Sequence, residues 1–212
     1  YTERMEAVLA NLTASAKDNP NAPALLRGTG SDKTQLLIVA TADKGLCGAF
    51  NSSIVRLARE HIARHQREGR QVKIITVGRK GNDQLRRLYG DLIVWRTDFA
   101  QTRQIGFGEA QEIAAKVLSM FEAGEFDVAT LFFGRFKNVV SQVPTAQQII
   151  PATAPSPAEN GGAAAPDLKG AVYDYEPDEE EILKALLPRY VAVQVFRALL
   201  ENVASEMGAK MS

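Results

Sequence analysis

Between residues 35 and 134 the sequence alternates short apolar runs with segments of helical periodicity, and no other feature limits the fold so tightly. Leu36-Leu37-Ile38-Val39-Ala40 is a continuous apolar run, the pattern of a strand buried on both faces, and it predicts a strand over 35–41. Beyond Asn51, the residues Ile54, Leu57, Ala58 and Ile62 share one helical face. A helix is therefore expected over 52–68, its outer side carrying Arg56, Arg59, Glu60, Arg64, Arg67 and Glu68. Gln71 to Val77 reads as a second strand, ended by Gly78-Arg79-Lys80-Gly81-Asn82. A short helix from Asp83 to Tyr89 and a weaker strand from Leu92 to Trp95 come next. Gly108 to Ala123 then shows Ile113, Val117, Leu118 and Phe121 at helical spacing, before a buried strand from Asp127 to Gly134. Such alternation implies an α/β fold, a mostly parallel sheet with helices on both faces. Phe136 to Ile150 departs from it. This long extended segment follows the short Gly134-Arg135 link, so it is expected to return antiparallel.

The flanks read differently. Residues 2–17 make an amphipathic helix through Met5, Val8, Leu9 and Leu12, ended by Asp18-Asn19-Pro20-Asn21 and a loop to about Lys33. Residues 151–168, rich in Ala, Pro and Gly, lack the apolar surface to order themselves and are expected to form a mobile loop. Gly170 to Tyr175 resembles one more strand. The last helix opens with the carboxylates of Glu176-Pro177-Asp178-Glu179-Glu180-Glu181, where the helix dipole favours them. Along it Leu186, Val193, Leu200 and Met207 recur every seven residues, and Ile182, Phe196 and Val203 occupy a companion seam interrupted by Arg189 and Lys210. Packing on the sheet explains the first half of this stripe; its persistence calls for a partner helix, and the N-terminal helix is the candidate. Pro188 is expected to bend the helix near its start. Both terminal helices read as cut, so we expect a piece of a longer protein. The resulting division is 1–18 helix, 19–176 globular unit, 177–212 helix.

Between the first strand and its helix lies Thr41-Ala42-Asp43-Lys44-Gly45-Leu46-Cys47-Gly48-Ala49-Phe50-Asn51, at a strand's carboxyl end, where ligands gather in α/β sheets. The phosphate motifs that could support an enzyme nevertheless fail. Gly28-Thr29-Gly30-Ser31-Asp32-Lys33-Thr34 has Asp32 where a P-loop needs glycine and precedes the strand; Gly106-Phe107-Gly108-Glu109-Ala110-Gln111 ends on Gln rather than glycine. Nucleophilic catalysis by Cys47 lacks a base, because His61 and His65 lie on the following helix, where an exposed face is expected. These histidines are one turn apart but have no apparent third metal ligand. With 25 basic and 25 acidic residues the chain has no basic field to gather nucleic acid. The single cysteine excludes an internal disulfide, and neither a signal peptide nor an apolar run of membrane-spanning length is present. A Cys47 enzyme and a nucleotide-sensing regulatory module stay open as alternatives at this point.

Asp43 through Asn51 resembles the signature of the gamma subunit of F-type ATP synthases, the central rotor shaft. The similarity extends in order to Gly134-Arg135-Phe136-Lys137-Asn138-Val139-Val140, to Tyr175-Glu176-Pro177, and to the stretches 190–196 and 201–206. It implies a Rossmann-like foot between two terminal helices that form an antiparallel coiled coil inside a ring of alternating alpha and beta subunits. Gamma itself would hold no cofactor, metal or nucleotide and break no bond. It would couple c-ring rotation, driven by protons, to the beta-subunit catalytic sites. The resemblance sets Asp43, Lys44, Gly45, Cys47 and Gly48 against an acidic lever loop of a beta subunit: Lys44 supplies charge, the glycines close approach, Cys47 packing. Glu206 and Lys210 match a second polar catch, and Tyr173, Tyr175 and Glu176 match the foot facing the c-ring and epsilon (delta in mitochondrial naming). Ala49 stands where many members have glycine, and Lys210 where many have arginine. The chloroplast-type regulatory cysteine insert is absent. An inhibitor protein is a further candidate partner, and the implied place is peripheral, on the cytoplasmic face of a bacterial inner membrane or the matrix face in mitochondria.

Overall fold

In the computed structural model the chain is described over residues 21–152 and 177–211, together with Ala7 and Asn11, which are helical. The apolar run becomes β1 (Thr34–Ala40) and lies third in a five-stranded sheet of order β3-β2-β1-β4-β5. Its partners are β2 (Gln71–Val77), β3 (Ile93–Thr97), β4 (Val128–Asn138) and β5 (Ser141–Ile150). Pairings among the first four are parallel, with Leu37 opposite Ile74 on one side and Thr130 on the other; β4 and β5 run antiparallel. Alternation along β1 explains why an unbroken apolar run suits this place. Leu36, Ile38 and Ala40 enter one core, while Leu37 and Val39 enter the other.

Each core is closed by helices whose apolar residues repeat at helical spacing. A one-turn α1 (Ala24–Arg27) falls within the expected 18–33 loop, where Leu26 joins the first core. Helix α2 (Phe50–Arg67) lays Ile54, Ala58 and Ile62 over Leu37 and Val39, and α3 (Arg79–Tyr89) adds Leu85. On the opposite face α4 (Phe107–Glu122) contributes Ala110, Ile113, Ala114 and Val117. Glu109 folds back at its start to accept the Gly106 N–H at 2.8 Å. The last helix, α5 (Pro177–Met211), runs unbroken through Pro188 for 35 residues. It packs Leu183, Leu187, Val191, Val195 and Leu199 on the same face as α4, each contributing on the order of 1.5–3 kcal/mol before the entropy of ordering is offset. Helices therefore cover both faces of a mostly parallel sheet.

Several boundaries differ from the sequence expectation for identifiable reasons. Gly134-Arg135 is not the link between the last two strands: β4 continues through both to Asn138, and Val139-Val140 makes the turn. Gly134 is needed for packing, since a Cβ there would stand 2.6 Å from the Phe50 ring. The segment Gly78 to Asn82 does not end in a loop, because α3 already begins at Arg79. Its glycines answer to Thr41: a Cβ on Gly78 would come within 2.3 Å of the Thr41 carbonyl oxygen, and one on Gly81 within 2.8 Å of its hydroxyl. The third strand starts later than expected, after a 3-10 turn over Gly90–Leu92. Pro151 and Ala152, assigned to the mobile loop, are placed: the buried Ala152 donates its N–H to the Leu25 carbonyl at 2.8 Å. The rest of that loop, the 170–175 strand and nearly all of the N-terminal helix lie outside the described residues.

Candidate functional site

Beyond β1 the chain enters the turn under tight restraint. The Asp43 carboxylate accepts the Arg79 N–H at 2.9 Å through Oδ1 and the Phe99 N–H at 3.0 Å through Oδ2. One side chain thus ties the turn to the start of α3 and to the loop after β3. A carboxylate on the first N–H groups of a helix also gains from the helix dipole. Both carboxylate oxygens of Asp43, expected at a partner contact, accept bonds within the fold. Lys44 is exposed and carries the outward charge.

Asn51, in the first turn of α2, supplies the second restraint. Its buried Oδ1 accepts the Ala42 N–H at 2.8 Å, and its Nδ2 reaches the Lys44 carbonyl and the Cys47 Sγ, each at 3.4 Å. Cys47 is 1% exposed, and burial, reinforced by the charge of Glu206 and partly offset by Lys210, pushes its thiol up. A protonated, enclosed thiol is a poor nucleophile, so the cysteine packs rather than reacts. Gly48 has φ +60 with open space around it, the conformation that glycine suits. Gly45 is different, because a Cβ there would meet only the Lys80 side chain, at 3.6 Å. Ala49, where many gamma subunits have glycine, has φ −86 and is exposed, so its methyl costs the turn nothing. Leu46 was not singled out from the sequence. It is 99% exposed at φ 62, and no turn-residue signature marks a leucine for that conformation.

The crevice beside this turn is the switch point of the sheet, between β1 and β4, where connections leave in opposite directions. Here the protein fills it with its own helix. Asn202 of α5 accepts the Gly134 N–H at 2.6 Å and donates to the Ala40 carbonyl at 2.9 Å. Ser205 donates to the Gly134 carbonyl at 2.8 Å, and Glu201 accepts the Phe136 N–H at 2.7 Å. A cleft of about 380 Å³ opens instead between α3 and the end of β3, lined by Arg79, Arg86, Arg96 and Asp98, with Arg79 already paired to Asp98.

Past Ser205, α5 crosses the strand ends, and Ala209 packs against the second core, which contains Cys47 and Phe50. Glu206 and Lys210 form an ion pair at 2.9 Å, and both charges act on Cys47. The structure therefore brings the turn and the Glu206–Lys210 pair to one side of the molecule. Such a half-exposed pair one helical turn apart contributes only about 0.3–0.5 kcal/mol to folding. Its pairing with Glu206 holds the Lys210 ammonium above its ordinary range. The heptad stripe divides: Val193 and Phe196 serve the core, while Ile182, Leu200, Val203 and Met207 are exposed.

Two other sequence candidates are relocated or undescribed. His61 and His65 do not lie on an exposed face: His65 is 6% exposed, and His61 sets its ring edge-on to Phe132 at 4.9 Å. Burial, aided by Arg64, keeps both below the ordinary histidine range. Among the described residues no three His, Cys, Asp or Glu side chains cluster as metal ligands. Tyr173, Tyr175 and Glu176 lie outside the described residues.

Comparison with known proteins follows the same lines. Residues 1–212 match the family profile described as ATP synthase. The chain is 61% identical over 212 residues to the ATP synthase gamma chain of Parvibaculum lavamentivorans, covering all of this chain and 71% of that one. It is 57% identical to the gamma chain of a Chelativorans species, covering 100% and 70% respectively. Among solved structures, the central stalk and c-ring of the Tetrahymena thermophila mitochondrial ATP synthase includes a chain with TM-score 0.65 and 25% identity, covering 99% of this chain and 96% of that one. A chain of the Euglena gracilis mitochondrial enzyme shares the fold at TM-score 0.62 and 19% identity, covering 99% and 74%.

Proposed function

The chain belongs to the gamma-chain family of ATP synthases, and from that premise we propose how its residues divide the work of a central-stalk rotor subunit. Gamma is a subunit of the complex and not its catalytic site. The observation that carries our reading is the blocked switch point beside an outward-facing turn. Asn202 and Ser205 occupy the place where an α/β sheet would hold a nucleotide, and the Gly134 N–H and carbonyl and the Ala40 carbonyl are already bonded to them. This leaves the nucleotide-sensing alternative without a site there.

The rotor reading assigns Lys44, Gly45 and Gly48 to direct contact with a beta subunit, with Asp43, Cys47 and Asn51 holding the turn in shape. Glu206 and Lys210 supply the second polar contact from α5. The exposed Leu200, Val203, Met207 and Met211 support a partner for this end of the helix, and we assign that partner to the N-terminal helix, in an antiparallel coiled coil within the alpha–beta ring. Tyr173, Tyr175 and Glu176 are assigned to the c-ring and epsilon side. Among the described residues no helix is long and apolar enough to cross a membrane. From the family and its bacterial relatives we place the subunit peripherally, on the cytoplasmic face of a bacterial inner membrane. As the foot turns with the c-ring, the asymmetric shaft presses different faces on the three beta subunits and makes their sites unequal.

Charge reversal tests the assignment. Lys44→Glu and Lys210→Glu in the full-length subunit should leave ATP hydrolysis by the assembled complex in place while lowering proton pumping per ATP. Unchanged coupling in both variants sinks the assigned contacts.

A further inference from the structure

At the summit of the turn stands a side chain that the fold does not use. Leu46 is 99% exposed, more than any other large apolar residue described. Its backbone sits at φ 62, a conformation that costs most residues with a Cβ but that glycine and, among the others, asparagine adopt readily. Either would relieve the strain and remove an apolar surface from water. The fold therefore has no need of leucine here, and its presence points outward.

The surroundings define what it would meet. The backbone is ordered before any contact forms: Asp43 bonds the Arg79 and Phe99 N–H groups, and Asn51 bonds Ala42 and Lys44. A contact made here need not bear the cost of ordering a loop. Lys44 is exposed beside the leucine, and the Lys80 ammonium lies 3.8 Å from where a Gly45 Cβ would be. The Asp43 oxygens accept backbone N–H groups, and Asp98 pairs with Arg79. The tip is thus an apolar knob with a cationic border. Two such tips repel each other, so a second copy of this chain is disfavoured and an acidic partner favoured.

Resting on the rotor reading, we propose that Leu46 is the apolar anchor of the turn and enters a socket on a beta subunit that is apolar at its base and edged with carboxylates. Lys44 and Lys80 meet the edge while Leu46 fills the base. Because one shaft faces three beta subunits, the anchor occupies one socket at a time and leaves it at each step. Its burial then helps set how firmly the rotor rests between steps.

The test uses the full-length subunit and its alpha–beta ring. Leu46→Asn keeps a residue that tolerates the backbone and deletes the apolar group; it should weaken binding to the ring roughly tenfold or more, the loss expected when a leucine forfeits a buried apolar environment. Leu46→Met should stay within about twofold of the parent, since an apolar side chain of similar volume remains. The isolated Leu46→Asn subunit should melt no lower than the parent, which separates lost contact from lost folding. A photoreactive residue at position 46 of the assembled complex should cross-link to a beta subunit, in a stretch that mixes apolar and acidic residues. If Leu46→Asn binds like the parent while Lys44→Glu does not, the anchor is wrong and the beta contact stands. If neither variant changes binding and position 46 captures no beta peptide, both ideas fall.

Discussion

Two asparagines do the same chemistry at the end of the same strand and produce opposite surfaces. Asn202 accepts one backbone N–H, from Gly134, and donates to one backbone carbonyl, that of Ala40; Asn51 accepts the Ala42 N–H and donates to the Lys44 carbonyl. The first comes from a helix 162 residues away in sequence and closes the switch point of the sheet. The second comes from the next turn of chain and holds a loop open to solvent. A buried amide can therefore seal a strand end or present it. Which occurs depends on whether the asparagine belongs to a covering helix or to the loop itself. The sealed crevice is taken up by the protein's own helix, and the braced loop is the part that the proposed function offers to a partner.

Breaking the seal should cost most. Asn202→Leu preserves volume roughly but strips the Gly134 N–H and Ala40 carbonyl of buried partners, each worth about 1–3 kcal/mol when left unsatisfied. A loss of roughly 3 kcal/mol or more is expected in denaturant unfolding, with α5 released from the β1–β4 junction. Asn51→Leu should cost less, on the order of 1–3 kcal/mol, because its amide bonds to Lys44 and Cys47 are longer, 3.4 Å. Hydrogen exchange sharpens the contrast: Asn51→Leu should expose the amides of 42–51 while those of α5 stay protected. Equal loss of protection in both regions would mean that the two amides support one structure rather than two.

How much of this was legible follows from the range of each interaction. Local patterns sufficed for β1, α2, β2 and α4, whose apolar residues repeat at the period of their own element. The turn could be located because an apolar strand and an amphipathic helix bracket it. Reading glycines as punctuation failed at Gly134 and at Gly78 to Gly81, where glycine serves close contact with Phe50 and Thr41 from distant segments. The bracing role of Asp43 was hidden for the same reason: the partners of its carboxylate lie 36 and 56 residues further on. Leu46 left no signal at all, since neither exposure nor a left-handed backbone is written in the identity of a leucine. The heptad stripe on α5 was visible, but its division between core and surface depends on where Asn202 and Ser205 anchor the helix.

Within the open loop the brace and the contact can be separated. Asp43→Ala removes a charged acceptor from two backbone N–H groups and should destabilise the subunit by about 2 kcal/mol. Lys44→Ala, an exposed side chain, should stay within about 0.5 kcal/mol. Binding to the alpha–beta ring should respond to Lys44→Ala without any change in melting temperature. If instead Lys44→Ala lowers Tm as far as Asp43→Ala does, the turn is not divided into inner brace and outer contact.

The smallest effect comes from the opposite end of α2. His61 and His65 are held below their ordinary range, near 6.5, first by burial and then by the charge of Arg64, with Arg70 adding to His65; Glu60 and Glu68 oppose this. A histidine whose folded pKa is depressed takes up its proton in the unfolded chain first, so the unfolded state binds more protons as pH falls below about 6.5. Stability contributed by the neutral rings is complete above that pH and declines through the lowered folded values. Tm should therefore fall gently from pH 7 to pH 5, and His65→Gln should flatten the slope. The perturbation enters through α2, which carries Asn51, whereas Asn202 and Ser205 lie on α5. Acid should loosen the amides of α2 and the presented turn before those of α5, the order expected if the open and sealed strand ends are held independently.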